Sequence, residues 1–113
     1  MTKWIVLVEA SCAEPAREDE FNEWYNYVHL PDVLETPQIV SAVRYENIDP
    51  ADGQGKYLTT YEVEADDLQA AFAESERILE KKAVEGRMSE LLQVCSVTSF
   101  KQLHSLSKSI SIR

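Results

Sequence analysis

The run KWIVLVEAS, Lys3 to Ser11, is apolar on both parities, with Trp4, Val6 and Val8 on one side and Ile5 and Leu7 on the other. A strand patterned this way is predicted to be covered on both faces. Acidic and polar residues from Glu14 onward give way to Phe21, Trp24, Tyr25 and Val28 at helical spacing, and Pro15 suits a first turn. A helix is therefore predicted from about Glu14 to Leu30. Pro31 stops it there, because proline disfavours helical geometry in the residue before it. QIVSAVRYENI and GKYLTTYEVE read as the two strands of a hairpin, joined by the loop DPADGQG. From Asp66 the positions Leu68, Ala71, Phe72, Ile78 and Leu79 return to helical spacing, with Asp66 and Asp67 at the end where the helix dipole favours negative charge. Gly86 interrupts that pattern, RMSELLQ is predicted to add one or two further turns, and VCSVTSFKQ has strand composition. The final SLSKSISIR alternates weakly, as an added edge strand or an arm would.

The order βαββαβ predicts an α+β, ferredoxin-like protomer: a four-stranded antiparallel sheet with two main helices on one face. Residues 1–104 make up this domain and 105–113 its tail. One sheet face stays uncovered, and the double-sided first strand would leave it as a hydrophobic patch that soluble monomers rarely carry. Two such sheets packed face to face about a two-fold axis remove the patch, so a homodimer is expected.

At 113 residues the chain has room for one modest core. Its 20 acidic against 11 basic residues give a net charge of -9, which repels phosphate backbones and argues against nucleic acid and anionic membranes as partners. No apolar run approaches a bilayer span, and the N-terminal residues lack a long apolar region followed by a small-residue cleavage site. A cytoplasmic protein is expected, with Cys12 and Cys95 as structural thiols. A metal site would need three or four converging ligands, whereas the two histidines, His29 and His104, stand far apart. Phosphate-binding glycine loops and nucleophile elbows are also absent. Chemistry without metal or organic cofactor, or simple binding of a small apolar or aromatic ligand, is what remains.

The residues that can carry such chemistry cluster in EFNEWYNYVHLPDVLETP, Glu20 to Pro37. Tyr25 and His29 lie four apart on one helix face, with Asn22 and Asn26 along the same edge. His29 borders the apolar stripe, where partial burial beside a phenol can tune its proton affinity near neutral pH. Asp32, just past the helix, can orient the ring. The alternative is that His29 only bonds the last helix carbonyls. Trp24 and Tyr25 belong either to the core or to a ligand wall, and Tyr27 is expected on the surface. On the third strand Tyr57, Thr59 and Tyr61 share one parity, which lines either the dimer interior or a cleft. Arg44, flanked by Val43 and Tyr45, needs an anion: Glu62 or Glu46 as a structural pair, or a substrate. Glu9 is an acid in an otherwise apolar strand.

FNEWYNYVHLPDVLETP, VRYEN and YLTTYEVE together resemble the dimeric α+β barrel superfamily, and within it the EthD-like proteins. The resemblance runs from Trp4 to about Phe100, with Gln38 standing where members typically have glycine. It implies a homodimer of ferredoxin-like protomers whose sheets enclose a barrel, each with a cleft between sheet and helices. Relatives include cofactor-independent monooxygenases, polyketide cyclases, muconolactone isomerases and lyases, so the resemblance bears on fold more than on reaction. It strengthens His29, and with the reading of the residues above it leaves His29 and Tyr25 as the catalytic candidates and Trp24, Tyr61, Asp32 and Arg44 as the candidates to lie against the substrate. Two functions follow: a cofactor-independent enzyme of lyase, isomerase, cyclase or oxygenase type, moving a proton on an apolar, aromatic or polyketide-like compound; or a non-catalytic binding or accessory dimer of the same fold.

Overall fold

A computed structural model describes residues 1–108. The expected alternation becomes β1 (Lys3–Cys12), a continuous helical segment, β2 (Ile39–Glu46), β3 (Tyr57–Glu64), α3 (Leu68–Val84) and β4 (Leu92–Lys101). The segment opens with a single 3₁₀ turn at Pro15–Arg17 and continues as α1 (Glu18–Trp24), a π-helical turn (Tyr25–His29) and α2 (Leu30–Val33). All strand pairs are antiparallel, in the order β2-β3-β1-β4 of a ferredoxin-like sheet. Asp67 caps α3 by accepting from the backbone N–H groups of Gln69 and Ala70. Gly86, at φ 78°, closes the helix in the left-handed conformation that a side chain would resist.

Alternation along the strands decides the two faces. Val6, Tyr61 and Val63 join Val33, Ala65 and Ala71 in one buried cluster under the helices, while Cys12, Phe21, Tyr25, Tyr57 and Leu91 form a second. Complete burial of Phe21, Tyr25 and Leu91 contributes about 1.5–3 kcal/mol each. The opposite parity faces away from the helices. There the pairs Ile5↔Phe100, Leu7↔Thr60, Thr60↔Val43, Glu9↔Leu58 and Leu58↔Tyr45 lay out a broad surface. Ile5, Val43, Tyr45 and Phe100 are exposed on it.

Two sequence expectations are corrected. The helix does not end at Leu30: it runs through Pro31 to Val33, because the π turn absorbs the break that a proline makes in an α-helical ladder. RMSELLQ adds no helical turn and instead crosses irregularly from α3 to β4, held by the bond from Ala13 N–H to the Leu91 carbonyl. The tail was expected as an edge strand or arm over 105–113; 105–108 carry no regular structure and 109–113 lie outside the described residues. Among the described residues, no helix is long and apolar enough to cross a membrane.

Candidate active site

A cavity of about 350 Å³ opens between the helices and the covered sheet face. Its walls are mostly aliphatic: Val6, Val8, Val33, Val63, Leu79 and Val97 among others. Hydrogen-bonding side chains enter from four positions, His29, Tyr25, Tyr61 and Ser75. A ligand filling this space must be largely apolar, with its polar atoms gathered at the histidine–tyrosine end.

The π turn builds that end. In an α-helix a residue five positions on is rotated about 140° away, so Trp24 and His29 would not meet. The i→i+5 pattern brings them into line, seen in the bond from Leu30 N–H to the Tyr25 carbonyl. The Trp24 and His29 rings consequently stack, centroids 4.7 Å apart and planes 20° from parallel, while Tyr25 meets His29 edge-on at 5.0 Å. Trp24 is fixed in turn by its indole N–H, which donates to the Arg87 carbonyl at 2.8 Å. His29 is thus clamped between two aromatic rings and is buried, with Nδ1 lacking any hydrogen-bond partner. Burial pushes its pKa from 6.5 down to about 4; Asp32 opposes that shift in part and Arg44 adds to it. The ring is therefore neutral at pH 7, which corrects the expectation of a half-buried imidazole poised near neutrality.

Tyr25 and Tyr61 supply hydroxyls beside it. The Thr59 hydroxyl donates to Tyr25 Oη at 3.1 Å, leaving the Tyr25 proton free to point elsewhere. Burial, reinforced by the neighbouring Tyr25, holds the Tyr61 phenol well above its ordinary range, so it stays protonated as a donor. The Tyr57, Thr59, Tyr61 parity therefore lines the cleft side of the sheet rather than the uncovered face.

The other expected site residues take different posts. Trp24 stands behind His29 and does not line the cavity. Asp32 is buried but committed to Arg87, whose Nε and Nη2 donate to its two oxygens at 2.8 and 3.0 Å. Arg44 finds neither Glu62 nor Glu46: its Nη1 and Nη2 donate to Asn26 and Asn22, each at 2.9 Å. Its guanidinium lies over Tyr25 at 4.2 Å and near the rings of Tyr57 and Phe21, and it is not among the residues that line the cavity. Glu9 accepts from Ser96 Oγ and from Gly55 N–H, on the uncovered face. Arg87 and Ser75 were missed by sequence reasoning. Arg87 follows the helix-ending Gly86 in a segment without periodicity, and Ser75 is one polar residue on a helix with many. Among the described residues no three or more His, Cys, Asp or Glu side chains converge as a metal site needs. Cys12 and Cys95 are free thiols, the first buried and the second exposed.

No family model matches the chain, and no curated protein matches it in sequence. Solved structures do match it. HapK from Hahella chejuensis superposes with a TM-score of 0.71 at 16% identity, over 94% of this chain and 98% of that one. A dimeric ferredoxin-like protein from an uncultured marine organism gives 0.65 at 12% identity, over 94% and 100%. SnoaB from Streptomyces nogalater, described as a cofactor-independent oxygenase, gives 0.59 at 14% identity, over 96% and 100%. An EthD family protein from Bacillus halodurans is also similar. At these identities the likeness speaks for fold: the chain has the ferredoxin-like architecture of the dimeric α+β barrel proteins, EthD-like members among them.

Proposed function

We propose that the protein is a cofactor-independent enzyme that removes a proton from a small apolar, aromatic or polyketide-like compound. The observation that carries this reading is the unpartnered, neutral imidazole of His29 on the wall of an otherwise aliphatic cavity. A neutral ring nitrogen accepts a proton from an acidic C–H or O–H of the ligand, and the electron pair left behind resides on an enolate or phenolate oxygen. The Tyr25 and Tyr61 hydroxyls donate to that oxygen, against largely apolar walls where such bonds are stronger than in water. Oxygenase chemistry is the favoured outcome for the resulting anion, supported by the likeness to SnoaB; lyase, isomerase and cyclase outcomes use the same first step. The protein acts as a cytoplasmic homodimer of the 1–104 domain, with 105–113 as a tail.

Thermal-shift screening against naphthols, anthrones and aryl 1,3-diketones, followed by oxygen uptake and product analysis on the binders, tests the proposal. Saturating ligand should raise stability by a few kcal/mol. Stable binding with no turnover of any binder, in the presence of oxygen, would assign the cavity to the alternative role of a non-catalytic carrier.

A further inference from the structure

Arg44 is a half-buried cation with no anion. Among the described residues Arg17, Arg77 and Arg87 each pair with a carboxylate, and Arg44 alone of the four does not. Two neutral asparagine oxygens and three aromatic faces take the place of a counter-charge, and its Nε is buried without a partner. A positive charge in this setting keeps part of its field, because no carboxylate pairs with it and half-burial limits the water that screens it.

The field has a direction. The guanidinium lies 4.2 Å from the centre of the Tyr25 ring, and the hydroxyl of that ring takes part in the Thr59–Tyr25 bond next to Tyr61. Tyr25 is also the ring edge-on to His29. Arg44 thus stands against the Tyr25 ring, next to the polar end of the cavity, and is not one of its lining residues. We propose that Arg44 is a positioning residue whose uncompensated charge, acting through Tyr25, makes the polar end of the cavity selective for ligands that present an anionic oxygen, a phenolate or an enolate. The inference rests on the proposed function for the identity of the ligand, but the reach of the charge does not depend on it. Asn22 and Asn26 hold the guanidinium in place while leaving its charge intact. A carboxylate at either position would cancel the field it is held there to exert.

The charge is read first in the ligand-free protein, by following the His29 Cε1 proton through an acid titration in NMR. The charged and titratable groups around His29 are Asp32 and its partner Arg87, Arg44 on β2, and the phenols Tyr25 and Tyr61. Removing only the Arg44 charge, in Arg44→Met, should move the His29 midpoint upward by on the order of half a pH unit to one unit. Arg44→Lys, which keeps the charge, should stay close to the wild type. Arg44→Gln repeats the neutral substitution with a polar side chain, should the apolar one disturb folding. In a second measurement, 4-nitrophenol bound to the wild type should ionise at lower pH than when bound to Arg44→Met. Equal His29 midpoints in the wild type and both neutral variants, or Arg44→Lys behaving as they do, would overturn the role assigned to Arg44. A bound nitrophenol with the same ionisation pH in every variant would overturn the selectivity for anionic oxygen. Failure of the wild type to bind any phenol, with the His29 midpoints still separated, would support the charge's reach and count against the proposed function.

Discussion

At the scale of single residues, His29 links stability to acidity. Its folded-state pKa of about 4 lies below the ordinary 6.5. Above pH 6.5 the ring is neutral folded or unfolded and contributes no pH dependence. As pH falls from 6.5 toward 4 the unfolded chain takes up the proton while the folded chain refuses it, so stability is lost over that window, by roughly 3 kcal/mol in full. Thermal denaturation of His29→Gln beside the wild type, between about pH 7 and pH 4, should show the variant with a clearly shallower decline. Activity separates the two roles that the sequence left open: His29→Ala should cost on the order of 10² to 10⁴ in rate if the ring moves the proton. A large fall in melting temperature with activity intact would mark it as purely structural. The clamp next to it gives a second expectation. Asp32→Asn breaks the two-bond pair with Arg87, but Arg87 is 42% exposed and returns to water readily. The loss measured by urea denaturation should therefore be about 2 kcal/mol, below the usual range for severing a fully buried pair. The residue types of the site were legible, since Tyr25, His29 and Tyr61 sit at helix and strand spacings that place them together. Their partners were not. Generic charge pairing assigned Arg44 to a glutamate and Asp32 to His29, whereas the asparagines and Arg87 meet them only through the arrangement of separate elements.

At the scale of elements, periodicity located every strand among the described residues and both main helical regions to within a few residues. It failed where the backbone leaves its ordinary menu. Pro31 was read as a stop because proline disfavours helical geometry in the residue before it, and nothing in a hydrophobic pattern announces that a π turn can absorb the break. That turn is also what sets Trp24 over His29. A test follows from the difference between the two ladders. In Pro31→Ala the restored N–H can join an α-helical ladder, which favours a regular helix across Tyr25–His29 and turns Trp24 away from the ring. Stability should hold or rise, by roughly 1 kcal/mol or less, given the better intrinsic propensity of alanine. Affinity for the cavity's ligand should nonetheless fall, by on the order of tenfold, because the imidazole loses its stacking partner and its fixed orientation. Equal affinity in both proteins would show that the turn is incidental to the site. Stability and binding are expected to move in opposite directions, which distinguishes a built site from a merely tolerated irregularity.

At the scale of the whole molecule, the uncovered sheet face is the feature that one chain leaves unresolved. Ile5, Leu7, Val43, Leu58, Tyr45 and Phe100 lie on neighbouring strands of that face, and Phe100 and Tyr45 are each about half exposed. A contiguous apolar surface across a four-stranded sheet is costly in water, whereas a second identical sheet buries it symmetrically. The face is not uniformly apolar: Glu9 lies on it, but its two oxygens already accept from Ser96 and Gly55, so covering it strands no bare carboxylate. Structures of the same fold are described as dimeric. We therefore expect a homodimer through these faces, burying more than roughly 1,200 Å² in total. Leu7, on the central strand β1, is the residue to change. Leu7→Glu places an unpaired charge at the middle of the contact while its side chain in the monomer still reaches solvent, so folding should survive and association should weaken by on the order of 10²-fold or more. Light scattering should give twice the chain mass for the wild type at micromolar concentration and the chain mass for the variant, with unchanged circular dichroism. A wild type that scatters as a monomer would contradict the face-to-face dimer. A variant that stays dimeric would move the interface elsewhere, to the β2 or β4 edges where backbone groups are free to pair.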